Sequence, residues 1–145
     1  MHPAAAAALF NADAAHITGA LAARRGWVLH AVSFPLIDCS FRTLDRHELR
    51  LKLHCEDWND KPPAIDLCAA DGSLLTSIAP NPTGVFNTSA HPIAGRPFIC
   101  MRGSREYHTH TSHVSDPWDN LRGTTNYSLG NILSQIWSAW LQGND

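Results

Sequence analysis

No apolar run in this sequence approaches the roughly 18 residues that a membrane-spanning helix requires, so no transmembrane helix is expected. No Cys-x-x-Cys pair occurs among Cys39, Cys55, Cys68 and Cys100, which excludes a zinc ribbon and a thioredoxin-like motif. Charge is sparse: Asp, Glu, Lys and Arg together make up 17% of the chain and sum to −2 with His neutral. The strongly basic face of a general nucleic-acid binder is therefore missing. A Gly-rich phosphate-cradling loop is also absent, and without one a chain does not activate a carboxylate with ATP by itself. No internal repeat is visible, and the alanine run Ala4–Ala8 is the one compositionally biased tract.

What is present describes a folded domain. With 145 residues, 44% of them hydrophobic, the chain is long enough to bury a core without staples, and 1–145 is read as a single domain. Histidine is the unusual residue, at nine. The N-terminus carries Ala4–Ala8, Leu9 and Phe10, but no basic region precedes them and Asn11 and Asp13 end the run early. It is read as a cytoplasmic start, not a signal peptide. Cys39, Cys55 and Cys68 are expected to be small buried hydrophobes.

Residues 4–25 are Ala-rich and are expected to form a first helix, ended by Arg24, Arg25 and Gly26. Strand-like segments follow at 27–32, 36–44, 48–55 and 64–68. The third is the clearest, with Leu49, Leu51, Leu53 and Cys55 alternating against Arg50, Lys52 and His54. Residues 80–97 form a Pro-rich ordered loop, and 102–126 are polar. Leu129, Ile132, Leu133, Ile136, Trp137, Trp140 and Leu141 repeat at helical spacing behind a capping Ser128, with Gly143 ending the helix. The order predicts an α+β fold: an N-terminal helix, a four-stranded antiparallel meander, a long loop and a C-terminal helix.

The informative string is His91-Pro92-Ile93-Ala94-Gly95-Arg96-Pro97-Phe98-Ile99-Cys100-Met101. It follows a strand that itself follows Pro62-Pro63, and Asp116-Pro117-Trp118 and the final helix come after it. This ordered set resembles the ubiquitin-conjugating enzyme family. There a Pro-Pro joins strands three and four, and a loop opening with His-Pro leads through a Gly to an Ile-Cys-Leu-type tripeptide that holds the active cysteine. Three departures stand out: Ile93 replaces the Asn that usually follows His-Pro, the loop from His91 to Cys100 is one residue short, and about a dozen residues are inserted before the last helix. These fit the divergent bacterial members, which act in antiphage operons, including the signalling systems called CBASS.

The resemblance implies a ubiquitin-conjugating-enzyme-like fold and a transferase that carries a protein's C-terminal glycine as a thioester on Cys100. The cargo would be a cGAS-like nucleotidyltransferase or a ubiquitin-like protein, loaded by a separate activating enzyme or from an already activated donor. No cofactor, nucleic acid or membrane is expected. The chemistry needs a thiol that becomes a thiolate. Arg96, Arg102 and Arg105 predict an electropositive pocket around it, against the plainer reading of a buried Cys with solvated arginines. His108 and His110 are the candidate catalytic histidines, as bases toward the attacking amine or polarisers of the thioester. The spacing of His108, His110 and His113 leaves zinc binding or a plain surface loop as alternatives. His91 is expected to hold its loop. Asn81 or Asn87 could stand in for the missing Asn as an oxyanion donor, with ordinary turn residues the preferred reading. Asp116 and Asp119 could orient an amine or simply shape a turn. A catalytically inactive binding module of the same fold is the remaining alternative.

Overall fold

The structure, a computed structural model, describes residues 1–143. Its fold is α+β: an N-terminal helix, a four-stranded antiparallel sheet and a C-terminal helix. The Ala-rich start is two helices rather than one, α1 (Pro3–Ala14) and α2 (Gly19–Arg25). A uniform alanine run cannot show where a helix stops. The break comes where Ile17 turns into the core and Thr18 Oγ1 takes the amide of Leu21 at 3.1 Å, capping α2. Gly26 closes α2 at φ 71°, and a Cβ there would sit 2.6 Å from the carbonyl of Arg42, so only glycine fits.

Strands β1 (Trp27–Ser33), β2 (Leu36–Phe41), β3 (Leu49–His54) and β4 (Ala64–Cys68) pair in sequence order as an antiparallel meander. The alternation read in β3 is the burial seen: Leu49, Leu51 and Leu53 face the core beside Ile37, Cys39 and Phe41 of β2 and Ile65 and Leu67 of β4. Helix α4 (Leu129–Leu141) covers that face with Leu129, Ile132, Leu133, Ile136 and Trp140, and Ser128 Oγ caps it by accepting from Asn131. Helix α1 packs on α4, and Asp13 on α1 accepts the Leu129 amide at 3.1 Å. On the outer face, Asp38 and Ser40 are buried too. Arg50 lies over Asp38 with two hydrogen bonds of 2.8 Å and holds its carboxyl below the usual carboxylate range.

The Pro-rich loop contains a feature too short to read from sequence. Strand β5 (Phe86–Asn87) pairs with β6 (Phe98–Ile99), and the amide of Cys100 then donates to the carbonyl of Val85 at 2.6 Å. This ribbon packs against β4 and carries Cys100 on its end. The polar stretch after Cys100 is also ordered, as helix α3 (Arg105–Thr109) and three 3₁₀ turns, the first of them Thr111–His113. Asn81, one of the two asparagines considered as oxyanion donors, instead ties this loop to α4 by donating to the carbonyl of Ala139 at 3.0 Å.

Candidate active site

Cys100 is partly buried, whereas Cys39, Cys55 and Cys68 are at most 1% exposed. The thiols therefore fall into two classes. Burial pushes Cys39 up to about 12 and raises Cys55 further still, which keeps both inert at neutral pH. Cys100 is also raised by burial, and a hydrogen bond from the Asn87 side chain pulls against that rise. Asn87 Oδ1 accepts the amide of Ser89 at 2.9 Å. The ribbon thus sets Asn87 opposite Phe98, close in the fold to Cys100, whereas Asn81 is tied to α4.

The histidine beside the thiol is His113. Its Nε2 lies 3.7 Å from Cys100 Sγ, within reach for proton transfer. The ring is stacked on Tyr107, with centroids 3.9 Å apart and planes 14° from parallel. Tyr107 donates its hydroxyl to Asp116 at 2.7 Å, and Arg102 Nε donates to the same carboxylate oxygen at 2.7 Å. Arg102 and Asp116 therefore fix the tyrosine on which His113 rests.

His108 and His110 occupy other places. The Nδ1–H of His108 donates to the carbonyl of Asp116 at 2.9 Å and its Nε2 accepts the amide of Gly103 at 3.1 Å. Both ring nitrogens are used, the neutral tautomer is fixed, and burial lowers its pKa further. His110 Nδ1 accepts the amide of Ser112 at 3.1 Å and so caps the first 3₁₀ turn, while its ring stacks on Phe98. Geometry thus assigns both to holding the loop, and brings His113, not either of them, to the sulfur. Among the described residues no group of three or more His, Cys, Asp or Glu side chains is placed to hold a metal ion, so the zinc alternative has no ligand set in this arrangement.

The expected electropositive pocket is not formed by the arginines near Cys100 in sequence. Arg96 pairs with Asp66, Arg102 with Asp116, and the Arg105 guanidinium donates to the carbonyl of Pro62 at 3.0 and 3.2 Å. Each partner comes from another part of the chain, so the commitment cannot be seen in sequence. Asp119 is exposed and faces Arg122 at 3.6 Å.

His91, Ser104 and Glu106 position the site. His91 is buried; its Nδ1 accepts the amides of Ile93 and Ala94, each at 3.1 Å, and its Nε2–H donates to the carbonyl of Glu106 at 2.8 Å. Ser104 Oγ caps α3 by accepting from Tyr107 and donates to the carbonyl of Ile99, so α3 is stapled to the strand that ends at Cys100. The amide of Arg105 donates to the carbonyl of Pro63 at 2.8 Å, which gives the Pro62-Pro63 turn a structural role as the seat of α3.

Glu106 is a buried carboxylate that sequence reasoning missed. It is 6% exposed, accepts the amide of Ile65 at 2.6 Å, and burial raises it to about 7. Because the folded value lies above the unfolded one, the unfolded chain ionises first as pH rises. Stability is then lost between about pH 4.5 and pH 7 and stays lower above that. A Glu106→Gln chain keeps the acceptor for Ile65 and loses the titration. In chemical denaturation it should match wild type near pH 4 and exceed it at pH 8 by up to about 3 kcal/mol. Equal stabilities at pH 8 would contradict this.

Comparison with known proteins covers this same region. The family model described as Y4jH-like, the Y4jH family, matches residues 82–143. That segment contains Asn87, Cys100 and His113 together with the whole of α4. This part of the chain is similar to the Y4jH family. A relative named "Uncharacterized protein y4jH", from Sinorhizobium fredii (strain NBRC 101917 / NGR234), is 43% identical over 47 residues, which is 32% of this chain and 23% of that protein. The match thus spans under a quarter of the relative's length.

Proposed function

We propose that this chain is a cysteine-dependent conjugating enzyme with a ubiquitin-conjugating-enzyme-like fold. Cys100 takes the C-terminal glycine carboxyl of a partner protein as a thioester and passes it to an amine. The cargo is a cGAS-like nucleotidyltransferase or a ubiquitin-like protein, and the setting is cytoplasmic bacterial antiphage defence. The carrying observation is the Cys100 thiol, partly exposed at the end of the β5–β6 ribbon, with His113 Nε2 at 3.7 Å and the Asn87 side chain on the sulfur. The thiol is the nucleophile, His113 receives its proton, and the Asn87 amide is placed to donate to the oxyanion that forms when a carbonyl is attacked. The order of elements supports the same reading: helix, meander, a Pro-Pro turn between β3 and β4, a His-Pro loop ending at the cysteine, and a closing helix.

Intact-mass spectrometry on protein purified from cells expressing its neighbouring genes tests this. Wild type should carry an added mass that reductant removes. Cys100→Ser should hold it as a reductant-resistant oxyester, and Cys100→Ala should carry none. An adduct that persists on the Ala chain would sink the assignment. The alternative, a docking module without catalysis, draws on the raised thiol of Cys100. It predicts no adduct together with a thiol that resists alkylation at neutral pH.

A further inference from the structure

We propose that the cavity between the two N-terminal helices and the start of α4 is a binding site for a free α-amino acid, with Asp13 taking its ammonium group and Arg25 its carboxylate. The cavity holds about 470 Å³, a usual size for a small-ligand site. Its walls come from separate parts of the chain. Asp13 is on α1, Leu21 and Arg25 are on α2, Trp58 is in the turn after β3, and Tyr127 and Ser134 lie just before and within α4. Cys100, His113 and Asn87 take no part in it, so the inference does not depend on the thiol.

Two opposite charges line this space without neutralising each other. Asp13 accepts the Leu129 amide at 3.1 Å, and among the described residues no Lys or Arg pairs with it. His16, also in the wall, acts on it through space without forming an ion pair. Burial raises the Asp13 carboxyl, as expected of a carboxylate short of a cation. Arg25 has no carboxylate partner among the described residues either. Its guanidinium lies 5.2 Å from the Trp27 ring and 5.1 Å from the Trp137 ring, and Nη1 donates to Ser134 Oγ. Ser134 in turn donates to the carbonyl of Gly130 at 2.7 Å. The side chain is therefore held in place, and the rest of its planar fork is left for an acceptor. Holding it before the ligand arrives lowers the entropy lost on binding.

The spacing of the two charges selects the ligand. Asp13 is anchored at the amide of Leu129 and Arg25 at Ser134, five positions further along α4, which is about 7.5 Å of helix rise. The ammonium and carboxylate of an α-amino acid are about 3 Å apart. A charge-assisted hydrogen bond at each end adds about 2.8 Å, so such a molecule reaches across the gap with little to spare. A dicarboxylate or a diamine would leave one of the two protein charges unmatched. The ligand's own side chain would lie against Leu21, Trp58 and Tyr127, the apolar and aromatic part of the wall.

The test is ligand-observed NMR on the full-length protein with each common amino acid, followed by calorimetric titration of the best binder. At least one should bind in the micromolar to millimolar range. Its N-acetyl derivative lacks the ammonium and its methyl ester lacks the carboxylate, and each should bind at least about 10-fold more weakly. Asp13→Asn keeps an acceptor for the Leu129 amide, and Arg25→Met keeps an apolar stem beside the two tryptophans. Each variant should lose affinity by at least about 10-fold, with circular dichroism unchanged. No binding by any amino acid would overturn the inference and leave the conjugating-enzyme reading standing. Either derivative binding as tightly as its parent would overturn it too, a result that needs no variant to fold. So would full affinity in both folded variants.

Discussion

A His113→Ala chain should take an acyl group from a glycine thioester about 100- to 10,000-fold more slowly than wild type at pH 7, with the gap narrowing as the pH rises. The size follows from the state of the thiol. Burial raises Cys100, and the arginines close to it in sequence are occupied by Asp66, Asp116 and the Pro62 carbonyl. At neutral pH the sulfur is therefore carried as S–H. Nucleophilic attack then depends on a base that removes the proton as the new bond forms, and His113 Nε2 stands at 3.7 Å. Once hydroxide removes the proton the base is redundant, so the defect should close with rising pH. Stopped-flow loading of wild type and the His113→Ala chain across pH 7 to 10 checks this. Parallel profiles with a constant gap would show that the ring acts by shaping the site instead.

A His91→Ala chain should be less stable by about 3 kcal/mol, which for a domain of this size lowers the melting temperature by about 6–12 °C. His91 is 2% exposed. Truncation strands the amides of Ile93 and Ala94 and the carbonyl of Glu106 without their buried partner, and removes an edge contact with Phe98 at 4.8 Å. The effect should be felt at the thiol as well, because Phe98 is in β6 and Glu106 is on α3, the two elements that flank Cys100. Thermal unfolding followed by circular dichroism measures the first effect. A melting temperature within about 2 °C of wild type would show that the loop re-forms around water.

The strands and the last helix were legible because their signals are repetitive. The alternation from Leu49 to Cys55 and the spacing from Leu129 to Leu141 each contain several residues that agree, and Ser128 marks the boundary as it should. The break at Ala15–Thr18 was hidden because alanine favours helix on both sides of it. The β5–β6 ribbon has two residues per strand, too few for any period, yet it is what brings Asn87 to Cys100. The histidines show the limit most clearly. His108, His110 and His113 look alike in sequence, but a helical turn followed by a 3₁₀ turn sends their rings to a carbonyl of the same loop, to Phe98 and to the sulfur respectively. The direction of a side chain in an irregular segment depends on turns that carry no period. The arginines were misjudged for a related reason, since the carboxylates that claim Arg96 and Arg102 are 30 and 14 residues away.

The division among the four thiols makes the protein its own reporter. With Cys39, Cys55 and Cys68 sealed in the core, a maleimide dye added to folded protein goes to Cys100 and places a single fluorophore at the end of the β5–β6 ribbon without engineering. Unfolding exposes the other three. The number of dyes per chain, read by mass as one or four, then counts folded and unfolded molecules directly, and a partner docking over Cys100 is seen as protection of one known sulfur.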